Sequence, residues 1–582
     1  MTRKYSKDNT RQIFLHLLPV QIFSTLTSSL SGIVNGYIIG SNLTNIDMVA
    51  LGFASPFTAI LLVISTIISG GARIICGRFI GRGQKDKVQD TFSSSLFILI
   101  IIGIVLSISC YVFSEKIAII LGTSSDAVEK TSLYIKGISI GLIPSIISPC
   151  LMGFLQMENY SKYALASTVV LAVSNLSLGL IYSNTFTIDI YKVAIITSIS
   201  QYITLVFLLV KFIVVKNLPR LSIKHDLSIC KEIIVLGFPA ALAAGLYAIR
   251  NSVLNNIAYG IGGDNAVNAL SILNSSCGPL DAFNIGVGST QLMLASVYVG
   301  EKDSNAIKEL CRIAILYGLV IAGVKVGLIS LFVDKLAILY GASGETLDLT
   351  VSLYKAYSLC MPLNIITVVV MNTYQTLGRV RYCNILYLVT CIVAPLSISY
   401  FGGKLLGINA VWNCYWISEV IVLAIIYLDS CVYNKKLTNG IGALLYVERD
   451  IEIEKCAVIS IKNIDEVTNI SRGIELFCLE NNIDKRRSML TGLCCEEITA
   501  NIVEHGFSKS KKLKKTIDIY VGISHDEVHI RIKDNAVAFD PHIKLQGNDD
   551  ITSNIGIRMV SKIAKEMNYH NTFNLNILSI NL

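Results

Sequence analysis

Charge is scarce in this chain. Asp, Glu, Lys and Arg make up 15% of its 582 residues, against 53% hydrophobic residues and a mean hydropathy of +0.60. Soluble domains carry roughly 25% charged residues, so a chain folded wholly in water is excluded and a membrane protein is implied. The fifteen cysteines contain no CxxC and no metal-like spacing. They are expected to be reduced, small apolar residues, including Cys494–Cys495, whose side chains diverge on a helical pattern. No cleaved leader is expected, because the first apolar segment is too long for a signal h-region and lacks an A-x-A site. The net charge of +8 comes from basic residues scattered among loops, so it gives no argument for nucleic-acid binding.

Long apolar runs are abundant. Spanning a bilayer takes about 20 predominantly apolar residues. Such stretches lie near 12–39, 49–75, 91–113, 132–156, 163–183 and 191–215, and again near 232–260, 266–298, 310–333, 351–377, 383–402 and 407–433. The two sets of six are copies. Pro19 answers Pro239 about 220 residues later, Asn35 answers Asn255, and Gly40 answers Gly260. Gly81 answers Gly300, Pro144 answers Pro362, Gln156 answers Gln375 and Tyr163 answers Tyr382. An even number of spans returns the chain to its starting side. Both copies therefore insert in the same orientation, related by an axis along the membrane normal, with a cavity between them. Lys and Arg are biased about four to one toward the side of the starting tail, which places both termini in the cytoplasm.

The membrane half resembles the multidrug and toxic compound extrusion (MATE) transporters over about residues 12–433. The Pro-led first helices read LPVQIFSTLTSSLSGIVNGYIIG and FPAALAAGLYAIRNSVLNNIAYGIGG. The second helices run into SGGARIICGRFIGRGQKDK and VGSTQLMLASVYVGEKD, and the fourth helices end in LMGFLQMENYSKY and MNTYQTLGRVRY. The resemblance implies export of a small-molecule organic cation or drug in exchange for Na⁺ or H⁺. That chemistry uses an intramembrane carboxylate for which ion and substrate compete. Many prokaryotic relatives carry Asp where this chain has Asn35, and another branch carries Glu where it has Tyr247. The ionisable groups within the apolar segments are Arg73, Arg250, Asp281, Lys325 and Glu419. Asp281 and Glu419 are candidates for the coupling site, with Arg250 as a balancing charge. Asn35 and Asn255 are candidates for the cavity wall or for helix packing.

Past Asn434 the composition changes to alternating polar and apolar residues. The pattern predicts a strand over Cys456–Ile461, helices over Asp465–Glu480 and Asp484–His505, and strands over Lys515–Gly522 and Val528–Lys533. A helix over Ile555–Met567 and a strand over Phe573–Ile580 complete an α/β sandwich with a core of its own. In GLCCEEITANIVEHGF, Glu497 and Asn501 are four apart and share a helix face, which suits them to hold Mg²⁺ and a water or hydroxyl beside a phosphate. Asp534 ends an apolar strand as a fixed acceptor, suited to an adenine amino group. Gly556 opens a helix whose free N–H groups can meet an anion. This succession resembles the GHKL ATPases, which include gyrase and the histidine kinases, and above all the anti-sigma-factor serine kinases. That resemblance implies Glu497 as general base, Asn501 as Mg²⁺ ligand, Asp534 as adenine contact and Gly556 as phosphate-loop glycine, with ATP and Mg²⁺ as cofactors. His505–Gly506 and Phe539–Asp540–Pro541 also match the serine-kinase branch. Ala536 and Asn554 stand where that family has glycines that let backbone approach the nucleotide.

The expected architecture is thus an α-helical multi-pass membrane protein with a C-terminal cytoplasmic α/β sandwich of the GHKL (Bergerat-like) class. Residues 1–218 form an N-lobe and 219–436 a C-lobe, twelve transmembrane helices in two six-helix repeats, and 437–582 the ATP-binding domain. The leading expectation is a MATE-type antiporter with a regulatory or kinase-like tail and a cytoplasmic regulatory protein as partner. Two alternatives stay open: a non-transporting membrane receptor that signals through the tail, and a lipid-linked saccharide flippase.

Overall fold

The structure is a computed structural model that describes residues 7–42, 45–121, 127–185, 189–215, 218–222, 226–434, 444–445, 455–461, 467–508, 515–524, 527–541, 555–573 and 575–582. The N-lobe runs through α1 (Lys7–Asn42), α2 (Asn45–Gly81), α3 (Lys85–Val112), α4 (Ser114–Ile120), α5 (Val128–Ile140), α6 (Leu142–Met157), α7 (Ser161–Thr185) and α8 (Ile190–Val214). The C-lobe begins with α9 (Leu227–Gly300), a 74-residue helix capped by the Asp226 carboxylate, which accepts from the Ser228 N–H. It breaks at Gly263, whose φ of 62° is open to glycine at little strain. That break separates the two spans expected on either side of it. The lobe continues through α10 (Ser304–Leu339), α11 (Gly344–Thr376), α12 (Val380–Leu388), α13 (Ala394–Ser397), α14 (Gly403–Leu406) and α15 (Ile408–Asn434), with π-helical turns at Val389–Val393 and Ile398–Gly402.

Among the described residues, ten helical stretches are long and apolar enough to cross a bilayer. The count is eleven when Val128–Ile140 and Leu142–Met157, bent by 47°, make one span. Large apolar side chains such as Ile108, Ile213, Leu331 and Val432 face outward, as lipid contact requires.

The lobes meet at their basic end along a seam of glycines. A Cβ on Gly71 would strike the Ile233 carbonyl, and one on Gly237 the Ile67 carbonyl. Gly81 lies against the Val297 carbonyl and Gly300 against the Arg78 carbonyl. Only glycine lets α2 and α9 approach so closely. Arg78 bolts the seam from its side, donating to the Thr376 carbonyl at 2.6 Å and pairing with Glu232 at 3.1 Å.

The C-terminal domain packs α16 (Val467–Glu480), α17 (Lys485–Asn501) and α18 (Ile555–Ile563) with a five-stranded antiparallel sheet. Its strands, β1 (Lys455–Ile461), β2 (Ile517–Ser524), β3 (Glu527–Asp534), β4 (Glu566–Thr572) and β5 (Leu575–Asn581), lie in the order β1-β2-β3-β5-β4. One strand is not in the sequence pattern, the helix expected to reach His505 passes into a π-helical turn after Asn501, and the strand bounds shift by up to two residues. The helix expected to reach Met567 ends at Ile563, and Glu566–Thr572 is an edge strand. Only Met567 and Tyr569 of that strand enter the domain core, too few apolar residues to mark the period of a strand. The expected domain boundary near 436 lies outside the described residues.

Candidate functional site

Two constellations carry chemistry. The first is in the C-terminal domain, where α17 is capped by Asp484, which accepts from the Arg487 N–H, and passes into a π-helical turn, Ile502–Gly506. Such turns displace side chains from the α-helical register. Beside it lies a cavity of about 320 Å³ lined by Asn501, His505, Gly506, Asp534, Ala536, Phe539, Tyr569 and Asn576, among others.

Asp534 is buried at the cavity wall and held in place. Its Oδ1 accepts from the Ala536 N–H and from Asn576 Nδ2, both at 2.8 Å. Asn576 Oδ1 accepts in turn from the Tyr569 hydroxyl and from Asn571 Nδ2, each at 2.7 Å. Burial pushes the Tyr569 phenol up to about 12, so it stays a neutral donor.

Glu497 and Gly556 come together: a Cβ on Gly556 would overlap the Glu497 carboxylate. Asn501 lines the cavity and its Nδ2 donates to the Glu497 carbonyl at 2.8 Å. Asn501 and Asp534 thus line the cavity, while Glu497 packs against Gly556 at the start of α18, a helix N-terminus whose N–H groups suit an anionic group. The Ala536 departure is matched across the cavity. A Cβ on Gly506 would lie 2.9 Å from the Ala536 Cβ, so a glycine faces the added methyl. Asn554 lies outside the described residues. The buried thiols of Cys494 and Cys495 are pushed up by desolvation, in keeping with small core residues.

Asn576 and Tyr569 were absent from the sequence-based site. Their signal is weak because β4 and β5 are asparagine-rich, and asparagine on a strand reads as a turn former rather than a cavity wall.

The second constellation is a polar network inside the C-lobe. Lys325 donates from Nζ to Asn284 Oδ1 at 2.5 Å and to the Leu280 carbonyl at 3.2 Å. Asn284 Nδ2 donates to Asn364 Oδ1 at 3.2 Å, and Asn364 Nδ2 to Glu419 Oε1 at 2.9 Å. A continuous relay thus joins an ammonium on α10 to a carboxylate on α15. Asp281, one turn before Asn284, accepts from the Tyr357 hydroxyl at 3.3 Å. Arg250 forms no ion pair with Asp281 among the described residues. Its guanidinium lies over the rings of Tyr247 (4.6 Å) and Tyr415 (5.2 Å), a cation–π stack, within electrostatic reach of Asp281 and Glu419. Tyr247, which stands where one family branch has glutamate, is thus the arginine's platform. Asn255 Oδ1 and Arg250 Nε are buried without a hydrogen-bond partner among the described residues. Asn35 is in α1, and its side chain lies outside the described residues. Lys325, noted in the sequence but given no role, is the residue that organises the network.

Comparison with known proteins finds a family for each part of the chain. The MatE family model matches residues 21–181 and 239–401, once per lobe, and the histidine kinase-like ATPase domain model matches 462–582. The multidrug export protein MepA of Staphylococcus saprophyticus is 24% identical over 269 residues, covering 44% of this chain and 58% of that protein. MepA of Staphylococcus aureus strain NCTC 8325 is 25% identical over 260 residues, covering 43% and 56%. The chain therefore spans little more than half the length of these relatives. Among solved structures, a multidrug resistance MATE family transporter in an outward-facing conformation superposes with a TM-score of 0.69 at 17% identity, covering 75% of this chain and 99% of that one. A MOP superfamily transporter from Pyrococcus furiosus, described as having a binding pocket of reverse polarity that suggests a different function, superposes with a TM-score of 0.67 at 18% identity, covering 72% and 94%.

Proposed function

The chain belongs to the MatE family and carries a histidine kinase-like ATPase domain, and from that premise we propose that it is a MATE-type antiporter with a nucleotide-binding regulatory tail. It exports organic cations or drugs in exchange for Na⁺ or H⁺. Twelve spans cross the membrane, α1 joining the eleven stretches above, and the basic end with both termini faces the cytoplasm, as the Lys/Arg bias supports. The observation that carries the transport reading is the buried relay from Lys325 through Asn284 and Asn364 to Glu419, with Asp281 beside it. Charged groups within a bilayer are expensive to keep and mark ion and substrate pathways. An entering cation or proton competes with the Lys325 ammonium for the same acceptors, so occupancy and side-chain arrangement are tied together.

The tail holds ATP with its adenine amino group on Asp534, while Asn501 supplies an amide ligand for Mg²⁺ and the start of α18 receives the phosphates. ATP, when bound, would supply a phosphoryl group, and Glu497 would take the proton of the water or hydroxyl that attacks it as ADP leaves. The residues themselves orient the nucleotide and exclude water. Two measurements test these readings. Proteoliposomes holding the full chain should extrude a cationic dye only under an imposed Na⁺ or H⁺ gradient, and gradient-independent flux overturns antiport. In calorimetric titration of the full chain with ATP and Mg²⁺, Asp534→Asn should weaken binding about tenfold or more, whereas Glu497→Ala leaves it in place. Absence of binding at millimolar nucleotide removes the nucleotide role.

A further inference from the structure

The sheet of the C-terminal domain has a polar outer face, and that face is not left to solvent. Along β3, Val528, Ile530 and Ile532 enter the domain core, so His529, Arg531 and Lys533 point the other way. Lys533 reaches Glu301 at 2.5 Å, and Arg531 donates to the Glu301 carbonyl at 2.8 Å. Glu301 is the residue after Gly300 on the glycine seam and is 1% exposed. The same face reaches the N-lobe through β4. Thr572 donates to the Met157 carbonyl at 2.6 Å, and Asn159 Nδ2 donates to the Asn571 carbonyl at 3.1 Å. Asn9 of α1 donates to Asp518 at 2.6 Å. Phe573 and Leu575, flanking the β4–β5 turn, join the apolar cluster that contains Ile80 and Val297 from the two lobes.

We infer that the tail is a nucleotide-operated clamp whose partner is the transporter itself: its outer sheet face grips both lobes across the seam and holds their cytoplasmic ends together. This rests on the reading of the cavity as a nucleotide site. The link is a chain of amides. Asp534 Oδ1 accepts from Asn576, Asn576 Oδ1 accepts from Asn571 Nδ2, and Asn571 Oδ1 accepts from Asn159 of the N-lobe. The acceptor assigned to adenine and the grip on the N-lobe are thus joined through two residues, Asn576 and Asn571. Nucleotide that fixes Asp534 and Asn576 also fixes Asn571 in its docked arrangement. By reciprocity, the docked tail binds nucleotide more tightly than the undocked one. Mg·ATP therefore acts as a brake that favours the closed cytoplasmic end.

The test is hydrogen exchange, read by mass spectrometry, on the full chain in nanodiscs. The windows are residues 77–81 and 296–301 on the seam, with calorimetry on the same samples to read nucleotide occupancy. Mg·ATP should slow exchange in both windows of the wild type. Combined Arg531→Ala and Lys533→Ala should raise it about tenfold, and Asn571→Ala should abolish the response to Mg·ATP. Lys533→Arg serves as the conservative control that keeps the seam protected in a folded protein. If Mg·ATP binds and the double variant leaves both windows unchanged, the clamp is overturned. If the double variant opens the seam while the wild type binds no nucleotide, the clamp stands and the nucleotide reading falls. If the seam opens and closes normally with nucleotide in Asn571→Ala, the amide link is overturned.

Discussion

In the N-lobe, Gln156 at the end of α6 accepts from another buried amide, Gln21, at 2.6 Å. In the C-lobe its counterpart Gln375 donates to the Leu236 carbonyl at 2.7 Å, because the position matching Gln21 is Ala241. The repeat keeps a glutamine at the same helix end and changes what it holds. The same divergence governs the charges. Aligned through the matched Pro, Gly, Gln and Tyr positions, Arg250, Asp281, Lys325 and Glu419 fall on Leu30, Leu61, Leu106 and Ser200. One lobe carries the ionisable network and the other has no ionisable side chain at the matching places. Duplication therefore supplied a frame, and the network was loaded on one side of it.

The largest effect that could break this asymmetry is on transport. Asp281→Asn or Glu419→Gln should lower gradient-driven dye flux about 10- to 100-fold, the equivalent of ~1.4–2.8 kcal/mol, with normal membrane insertion. Leu61→Ala in the N-lobe should stay within about twofold, since it removes no charge. Equal losses in both lobes would show that the network is structural.

Next come the tail's two grips, ionic on the C-lobe and neutral on the N-lobe. Lys533→Met strips Glu301 of its closest partner and should weaken docking by up to ~3–5 kcal/mol, the range for a broken buried pair; the nearby Arg531 guanidinium, 3.9 Å from Glu301, moderates the loss. Asn571→Ala removes neutral hydrogen bonds and should cost about 1 kcal/mol. Denaturant-dependent release of the tail, followed by limited proteolysis near residues 435–443, ranks the two. The reverse order would mean that the N-lobe contact dominates.

The glutamines themselves give a finer comparison. Gln156→Ala leaves the Gln21 amide buried without its partner, a cost of about 1–3 kcal/mol, whereas Gln375→Ala strands only one carbonyl and falls at the low end of that range. Thermal melts of detergent-solubilised protein would show the difference as a larger fall in Tm for Gln156→Ala.

The smallest effect is in pH, on the N-lobe side of the docked tail. His570 is buried, and desolvation, with Arg531, Lys533 and Lys85 around it, lowers its pKa to about 3. Glu158 of the adjoining turn is raised by burial to about 7, against the pull of Lys85. Asp540, paired with Lys85 at 3.7 Å, lines the same groove. The histidine is neutral when docked and regains a proton below about 6.5 when released, so acid favours release through it. The carboxyl is protonated when docked up to about 7 and ionises above about 4.5 when released, so acid favours docking through it. Between about pH 4.5 and 6.5 the two slopes, each about 1.4 kcal/mol per pH unit, oppose each other and docking stays flat. His570→Asn should unmask the second slope, with docking strengthening as pH falls across that window. A flat profile in the variant would show that Glu158 keeps its ordinary pKa.

Much of the architecture is legible in the sequence because it is written in residues that constrain backbone. The repeated Pro, Gly and Gln positions mark the lobes, and Asn501 and Asp534, singled out by their place on a helix and at a strand end, line one cavity. What is not legible is written in polar residues whose partners are far away in sequence. The alternation on β3 marks His529, Arg531 and Lys533 as one face, but a face meeting water and a face meeting a polar protein surface share the same period. Lys325 stands out in an apolar segment, yet nothing local identifies Asn284 and Asn364 as its relay. Edge strand β4 escapes notice because His570, Asn571 and Thr572 supply neither apolar alternation nor β-propensity as a run.

The seam between α2 and α9 has a consequence for how the lobes part. Backbone meets backbone at Gly71, Gly81, Gly237 and Gly300, so no side chains interlock there and no rotamers must rearrange when the surfaces separate. At those four points the joint is smooth, and its grip lies beside them, in Arg78 with Thr376 and Glu232. It also has no tolerance for even one methyl group, because an alanine at any of these positions acts as a wedge. Inherited variation at the four glycines would therefore favour an open joint, as a door held ajar, while leaving the Lys325–Glu419 relay and the cavity beside Asp534 untouched.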